Sequence, residues 1–319
     1  MERSTILLVA GTHGNELNAL RLLNQWQQQP NLLDHHAWPV RIVTGNPAAC
    51  AAFRRYIDCD LNRTFRPSLI HSPATSSDSV ELRRARELAA MHGPVGREPC
   101  NIVIDFHNTT AAMGNCLVVY GRRPADLALA ALVQDWLGLP IYLHENDPLQ
   151  TGFLVSFWPC GLVIEIGPVP QGVVQCQIVE KTHLVLQTIF DILLAVECGD
   201  ARYPRHLVVH RHIQNIDRPR DSKTGGIAEI SAEREGRDWQ PIYDGAELFR
   251  TATGKSIQLM GWGNSAVVPV FINEAAYIEK GIALSLTRRE VWPIAKSWSS
   301  ALQSMLQPAV RLDHQDSGD

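Results

Sequence analysis

Short apolar runs alternate with helical segments over the first two thirds of the 319-residue chain. The strand-type runs cover residues 5–10, 40–44, 102–106, 117–120 and 162–166. Between them, apolar residues recur at helical spacing, from Leu17 to Trp26 and over residues 80–92, 124–137 and 178–196. This alternation predicts an α/β fold in which helices pack around a mostly parallel sheet.

The pattern changes near Arg202-Tyr203-Pro204. Short β-type runs follow at residues 207–209, 227–230, 256–259 and 266–272, separated by glycine pairs and Asp-Gly. The chain length also favours two domains over one. We therefore predict a first domain of residues 1–200 and a smaller, β-rich domain of residues 201–319. The polar residues 313–319 are expected to fray.

One of the predicted helices carries a start signal. Asp78-Ser79-Val80-Glu81 fits a capping box, with Asp78 as the N-cap and Glu81 at the third helical position. His92-Gly93-Pro94 predicts the end of the same helix. The Ser- and Pro-rich residues 68–79 predict an exposed loop before it.

Charge and cysteine content argue against several classes of protein. The 29 basic and 33 acidic side chains give a net charge of −4, which offers no electrostatic case for nucleic acid or an anionic membrane as a partner. Seven cysteines without a C-x-x-C motif argue against a disulfide framework and a cysteine zinc site. No apolar run resembles a signal peptide or a membrane span. We expect a soluble, cytoplasmic protein with reduced thiols.

A histidine follows or ends each of two apolar strands, where open α/β sheets bind ligands. In Gly11-Thr12-His13-Gly14-Asn15-Glu16, His13 and Glu16 are three apart and can bind one metal ion through nitrogen and oxygen. The alternative is a turn histidine beside a glutamate at a helix N-terminus. Because His107 ends the other strand, the three residues together indicate a zinc site with two histidines and one carboxylate.

Two further acidic residues lie in apolar strands. Asp105 points to the same side of its strand as His107 and could orient the imidazole. Glu165, within residues 162–166, is costly to bury unless it is paired or functional. Burial would raise its pKa towards the range of a general base. The alternative is a glutamate that forms a salt bridge with a buried arginine.

Residues 54–63 concentrate arginine, aspartate and asparagine without a helical pattern. An arginine can hold a carboxylate with two hydrogen bonds, and it can also stabilise a developing oxyanion. The alternative is a solvated cluster of charges.

Five ordered motifs resemble the aspartoacylase/aminoacylase-3 family, zinc amidohydrolases whose catalytic domain is similar to carboxypeptidase A. The motifs are His13-Gly14-Asn15-Glu16, Asp58-Cys59-Asp60-Leu61-Asn62-Arg63, Asp105-Phe106-His107-Asn108-Thr109-Thr110, Glu165-Ile166-Gly167-Pro168 and Asn273-Glu274-Ala275-Ala276-Tyr277. The resemblance covers about residues 5–285. It implies a mostly parallel or mixed sheet flanked by helices, with the β-rich second domain capping the active site.

The resemblance also implies a role for each matching residue. It makes His13, Glu16 and His107 the ligands of one Zn²⁺ per chain, and Glu165 the general base. Arg55 matches the arginine that stabilises the oxyanion and contacts the substrate. The expected substrate-binding residues are Asn62 and Arg63, which hold a carboxylate, and Tyr277 from the second domain. Dimers or larger homo-oligomers are common in the family.

This sequence departs from the family at two positions. Counting back from Glu165 without gaps, aspartoacylases have an arginine where this chain has Val155, and a tyrosine where it has Thr151. Because those two residues hold the side-chain carboxylate of acetylaspartate, we expect weaker discrimination for aspartate. Arginine at position 155 is expected to restore it.

The predicted activity is hydrolysis of the amide bond of an N-acyl amino acid, with N-acetyl-L-aspartate as the first choice by resemblance. Three alternatives are an aminoacylase for neutral or aromatic N-acyl amino acids, a desuccinylase, and a zinc-binding protein without catalysis. The small-molecule substrate would be its partner. A structural zinc site would need neither Glu165 nor Arg55, which argues against the last alternative.

Overall fold

A nine-stranded mixed sheet forms the centre of the computed structural model, which describes residues 3–145, 150–220 and 225–307. The strands are β1 Ile6–Ala10, β2 Val40–Thr44, β3 Ile102–Asn108, β4 Asn115–Tyr120, β5 Ile141–His144, β6 Cys160–Ile166, β7 His206–Asp217, β8 Glu229–Ile230, β9 Glu247–Arg250, β10 Ser256–Gln258, β11 Val268–Val270 and β12 Ile282–Pro293. Their order in the large sheet is β11-β12-β7-β5-β4-β6-β3-β1-β2. Five of its strand pairs are parallel and three antiparallel. The remaining strands, β10-β9-β8, form a small antiparallel sheet.

Helices cover both faces of the large sheet. They are α1 Asn18–Gln28, α2 Pro47–Ala51, α3 Pro67–Ile70, α4 Val80–His92, α5 Pro124–Leu137, α6 Cys176–Cys198 and α7 Lys296–Met305. Short 3-10 helices lie at Pro30–Leu32, Leu61–Arg63, Leu154–Phe157 and Ala275–Lys280. No described helix is long and apolar enough to span a membrane. The predicted fold class, a mixed and mostly parallel sheet flanked by helices with a β-rich C-terminal part, is confirmed.

Alternate residues of the central strands enter different cores. Ile6 and Leu8 of β1 pack on one face with α1, α5 and α6, whereas Leu7 and Val9 pack on the other face with α4 and residues 154–158. All five residues of β1 are buried. Because both faces are covered, such a strand is apolar throughout, which explains its clear signal in the sequence.

The start of α4 differs from the prediction. Ser79, not Asp78, is the N-cap, and its Oγ accepts the N–H of Leu82 at 3.0 Å. The Asp78 carboxylate instead accepts from Thr75 and Arg86. Glu81 does not close a capping box, because its carboxylate binds other segments of the chain. The helix ends at His92, as predicted.

Other differences concern regions with weak sequence patterns. The predicted loop of residues 68–79 begins inside α3. Six α-helices and strands were not predicted: α2, α3, α7, β5, β9 and the 12-residue strand β12. β7 extends the predicted run 207–209 to 12 residues because it pairs with β12 along its length. Residues 313–319, predicted to fray, lie outside the described residues.

The large sheet contains strands from both sides of residue 200, since β7 pairs with β5 and with β12. The apolar residues of the C-terminal part form a third core between the small sheet and β12. The division into residues 1–200 and 201–319 stays a prediction.

Candidate metal centre and active site

The carboxyl ends of β1, β3 and β6 bring the predicted site residues together. β1 is parallel to β3 and β3 is parallel to β6, so these three ends meet at one edge of the sheet. His13 follows β1 by three residues, His107 is the next-to-last residue of β3, and Glu165 holds the same place in β6. In the β3–β6 register His107 pairs directly with Glu165, which places their side chains on one face.

Glycine allows the turn after β1 to be tight. Gly11 has a left-handed backbone with φ of 69°. At Gly14, a Cβ atom would lie 2.1 Å from the carbonyl carbon of Ala49, so only glycine fits against α2. The N–H of Gly14 donates to the carbonyl of Arg55 at 3.2 Å. This packing turns His13 and Glu16 towards each other.

The side chains of His13, Glu16 and His107 converge on one point. All three residues are buried, and their candidate ligand atoms lie within 4.8 Å of one another. Nδ1 of His13 is 2.7 Å from Oε1 of Glu16, and Nδ1 of His107 is 2.9 Å from Oε2. The two Nδ1 atoms are 3.0 Å apart. This is the donor set, two imidazoles and one carboxylate, that catalytic zinc sites use.

A second carboxylate orients each imidazole. Nε2 of His107 lies 2.8 Å from Oδ2 of Asp105, as the sequence predicted, and Nε2 of His13 lies 3.1 Å from Oδ1 of Asp60. These contacts put the proton of a neutral imidazole on Nε2 and leave the lone pair of Nδ1 directed inward. Two lone pairs and the carboxylate of Glu16 then face one another, an arrangement that a cation stabilises. The residues therefore fit a zinc ion.

The electrostatics of the cluster agree. Although burial disfavours a charged carboxylate, His13 and His107 hold the pKa of Glu16 below its ordinary value. Burial also disfavours an imidazolium, but Asp105 and Glu16 hold the pKa of His107 well above its ordinary value. The raised pKa of His107 means that the carboxylates beside it stabilise positive charge.

Glu165 lies beside this cluster, half-buried in the wall of the cleft. Burial raises the pKa of its carboxyl to about 8; Glu16 and Glu274 add to the rise, and His107 opposes it. The salt-bridge alternative is not found, because no described arginine is within ion-pair distance of Glu165. A carboxyl that exchanges its proton near neutral pH suits a general base.

Arg55 links the cluster to the loop before Leu61–Arg63. Its guanidinium lies 3.3 Å from Oε1 of Glu16 and 3.3 Å from Oδ2 of Asp60. His13, Arg55 and Arg63 hold the pKa of Asp60 well below its ordinary value in spite of burial. The alternative of a solvated charge cluster is therefore wrong for Arg55 and Asp60.

Asn62 and Arg63 line the same cleft. Oδ1 of Asn62 accepts the N–H of Leu154 at 2.7 Å, which leaves the amide nitrogen as the end able to donate to a ligand. The guanidinium of Arg63 lies 4.4 Å from the ring centroid of Phe153 and donates to Gln150. A half-buried arginine with a single neutral side-chain partner can bind an anion.

Tyr277 reaches the cleft from the short helix Ala275–Lys280. Glu274 precedes this helix, is buried, and holds it against the loop after β3. Its Oε2 accepts from Thr109 Oγ1 at 2.5 Å and from the N–H of Thr110 at 2.8 Å, while Oε1 accepts the N–H of Ala276. Sequence reasoning quoted Glu274 and Asp60 within motifs but gave neither a role.

All eight predicted site residues line one cleft, part of which is open to solvent. They are His13, Glu16, Arg55, Asn62, Arg63, His107, Glu165 and Tyr277. Another part of the lining, the aromatic wall, consists of Val118, Tyr120, Tyr142, His144, Phe153 and Phe271. Among the described residues that line the cleft, the arginines are Arg55 and Arg63, and there is no lysine.

The expectation that residue 155 contacts the side chain of the substrate is wrong. Val155 is 1% exposed and packs in the apolar core beside Trp158, outside the cleft. A Cβ at Gly161 would lie 2.7 Å from the Cβ of Val155, so this part of the core has no spare volume. Thr151 is exposed and also lies outside this cleft. Neither side chain can select a substrate there, and Gln150 and Phe153 line it instead.

Models of known protein families match the chain in two parts. Residues 2–193 match the succinylglutamate desuccinylase/aspartoacylase catalytic domain, and residues 205–289 match the AstE/AspA barrel-sandwich hybrid domain. A probable aspartoacylase of Parasynechococcus marenigrum (strain WH8102) is 52% identical over 306 residues, which is 96% of this chain and 100% of that protein.

Two solved structures illustrate the likeness in fold. Murine aminoacylase 3 superposes with a TM-score of 0.81 at 31% identity, over 92% of this chain and 98% of the other. The succinylglutamate desuccinylase of Chromobacterium violaceum has a TM-score of 0.57 at 16% identity, over 92% and 85% of the two chains, which shows a shared fold alone. The chain therefore belongs to the succinylglutamate desuccinylase/aspartoacylase family, and it is a hydrolase of the amidohydrolase kind.

Proposed function

We propose that this protein is a zinc-dependent hydrolase that cleaves the amide bond of an N-acyl amino acid, releasing a carboxylate and the free amino acid. The observation that carries the proposal is the convergence of His13, Glu16 and His107 beside Glu165. Zinc held by these three ligands would supply a Lewis acid for the amide carbonyl and would lower the pKa of water.

Glu165 is the proposed general base. Its carboxylate accepts the proton of the attacking water, holds it on Oε, and delivers it to the departing nitrogen. A pKa near 8, raised by burial, favours the protonated state that the second transfer needs. Positive charge beside the carboxyl, such as a bound cation, favours the deprotonated state that the first transfer needs.

Arg55 and Arg63 have different proposed roles because they lie at different positions in the cleft. Arg55, next to Glu16, is the group that would donate to the oxyanion as the carbonyl carbon becomes tetrahedral. Arg63 and the amide nitrogen of Asn62 would hold the α-carboxylate of the substrate. Tyr277 would close the cleft from the C-terminal part, which makes capping the proposed role of residues 201–319.

Two kinds of substrate side chain are candidates. The name of the Parasynechococcus relative supports N-acyl-L-aspartate, with N-acetyl-L-aspartate first. The wall formed by Tyr120, Phe153 and Phe271 favours a neutral or aromatic side chain instead. Since Arg55 and Arg63 already have proposed roles, the cleft offers no further arginine or lysine, among the residues described, for a second carboxylate.

The role of Glu165 is tested by Glu165→Ala. We expect loss of turnover with N-acetyl amino acids, since no other carboxyl among the described residues of the cleft is free to take the proton, while zinc content stays near one per chain. Metal analysis and product assays on the same preparation measure both. The exposed Glu87→Gln variant, far from the cleft, is the control. Turnover that persists in Glu165→Ala would remove Glu165 from the role of base.

Substrate choice is tested by a deacylation screen. Zinc-loaded protein is assayed with N-acetyl derivatives of aspartate, phenylalanine, tyrosine and leucine, and kcat/KM is compared. Higher values for the aromatic derivatives would support selection by the aromatic wall, and a clear preference for acetylaspartate would contradict it. Zinc-bound protein that hydrolyses none of them would contradict the proposed function.

A further inference from the structure

Glu81 is a buried carboxylate that the proposed reaction does not use. It lies in the first turn of α4 with 0% of its surface exposed. Among the described residues, no arginine, lysine or histidine lies within ion-pair distance of it. Burying an unpaired carboxylate is costly unless several hydrogen bonds replace its water. The partners of Glu81 therefore need an explanation.

Those partners are three consecutive backbone N–H groups, one side-chain amide and, at 4.0 Å, the thiol of Cys59. Oε1 accepts from the N–H of Ile57 at 2.7 Å and from Nδ2 of Asn46 at 3.0 Å. Oε2 accepts from the N–H of Asp58 at 3.1 Å and from that of Cys59 at 3.2 Å. In return, Asp58 accepts the N–H of Val80 at the start of α4. Glu81 thus replaces the backbone partners that a helix or strand would give this loop.

The loop held in this way leads directly into the proposed active site. Asp60, the next residue after Cys59, lies 3.1 Å from Nε2 of His13 and 3.3 Å from Arg55. At the other end of the network, the N–H of Asn46 donates to the carbonyl of Gly11, in the turn that carries His13. A small movement of residues 57–59 would therefore change the contacts of Asp60 with both groups.

We propose that Glu81 is a positioning residue that fixes Asp60 and Arg55 relative to the zinc ligands by holding the backbone of residues 57–59. The catalytic part of this inference rests on the proposed function, whereas the placement of the loop does not. The helix dipole also favours an acidic residue in the first turn of α4, but that effect alone would not require contacts with the loop.

The test is Glu81→Gln, which keeps the size of the side chain but turns an NH₂ group towards donors that need an acceptor. The control is Glu87→Gln, which removes the same charge from an exposed position of the same helix. We expect faster amide hydrogen exchange confined to residues 57–60 and zinc affinity lower by about 10- to 100-fold, measured by chelator competition. We also expect a fall in kcat larger than the rise in KM. The control should match the wild type.

A uniform rise in exchange across the chain, with unchanged zinc affinity, would mean that Glu81 only stabilises the fold and would overturn the proposal. Wild-type zinc affinity and kcat in a folded Glu81→Gln variant would overturn it too. If the wild-type enzyme hydrolyses no N-acyl amino acid, the proposed function fails, while exchange and zinc affinity still test Glu81.

If Glu81→Gln does not fold, Asp58→Ala serves instead. This variant removes the exposed contact with the N–H of Val80 and leaves the buried carboxylate in place. A smaller change in the same direction, about threefold or more in zinc affinity and in loop exchange, would support the proposal. Wild-type values for both would overturn it.

Discussion

Four carboxylates support the proposed active site through three kinds of contact. Asp105 and Asp60 each accept from one imidazole, Glu81 binds the backbone of residues 57–59, and Glu274 binds the loop after β3. Glu165 differs because its carboxyl has burial without such donors, which is why its pKa is raised. A buried carboxyl without hydrogen-bond donors can carry a proton near neutral pH.

The sequence revealed the ligands more easily than the residues that hold them. His13, His107 and Glu165 stand out because each follows or interrupts an apolar strand. The contact of Asp60 with His13 joins residues 47 apart, and that of Glu274 with Thr109 joins residues 165 apart. A local sequence pattern does not reveal contacts between residues that are so far apart in the chain. It also led to the wrong role for Glu81, whose position suits a capping box.

Position 155 gives a prediction about a single residue. Val155→Arg would place a charged side chain in a core that has no spare volume, and the nearby carboxylate of Asp126 is already paired with Arg123. We expect the free energy of unfolding, from urea titration, to fall by about 3 kcal/mol or more. Preference for acetylaspartate should not rise.

The exposed Thr151→Arg variant is the matched control, and its stability should stay within about 0.5 kcal/mol of the wild type. A stable Val155→Arg enzyme with a raised kcat/KM for acetylaspartate would show that position 155 does face the substrate.

Burial on both faces makes several strands of the large sheet easy to predict. β1, β3 and β6 appear as continuous apolar runs because helices cover both sides of the sheet. β12 is buried over its first half and mostly exposed over its second, so its pattern changes within one strand. The order of the strands in the sheet depends on long-range pairing, which the spacing of apolar residues does not encode.

β7 and β12 give a prediction about pH. His210 of β7 is 8% exposed and faces Arg289 of β12 in the register. Burial, with a contribution from Arg289, lowers its pKa from 6.5 to about 4. The unfolded chain therefore binds this proton at a higher pH than the native protein does. The neutral form of His210 therefore makes its full contribution to the free energy of unfolding above pH 6.5. This contribution is lost as the pH falls towards 4.

His210→Phe removes the titrating group and keeps a ring against Trp239, whose centroid is 4.9 Å away. Relative to the wild type, the variant should gain stability between pH 7 and pH 4, by up to about 3 kcal/mol. Urea titrations at three pH values measure this difference. A difference that stays constant with pH would show that His210 is not buried in its neutral form.

The two family domains share one sheet in the whole molecule. β7, β11 and β12 follow residue 200, yet they extend the sheet that β1 to β6 begin. The last described helix, α7, returns to the first part of the chain and packs on α5. The N–H of Ser4 donates to the carbonyl of Leu306, which joins the two ends of the described chain. Both parts of the chain therefore contribute strands to the sheet that carries the cleft.

This continuity predicts that the chain unfolds as one unit. Leu302 of α7 is fully buried in the core that also contains residues of α1, α5 and α6. Leu302→Ala should lower the free energy of unfolding by about 2–5 kcal/mol, because the cavity it leaves lies in a core shared by both parts. Ser304→Ala, at an exposed position of the same helix, is the control. Hydrogen exchange in denaturant, followed separately in β3 and in β9, should show both strands losing protection at the same lower urea concentration. Loss of protection in β3 with β9 unchanged would mean instead that the small sheet folds on its own.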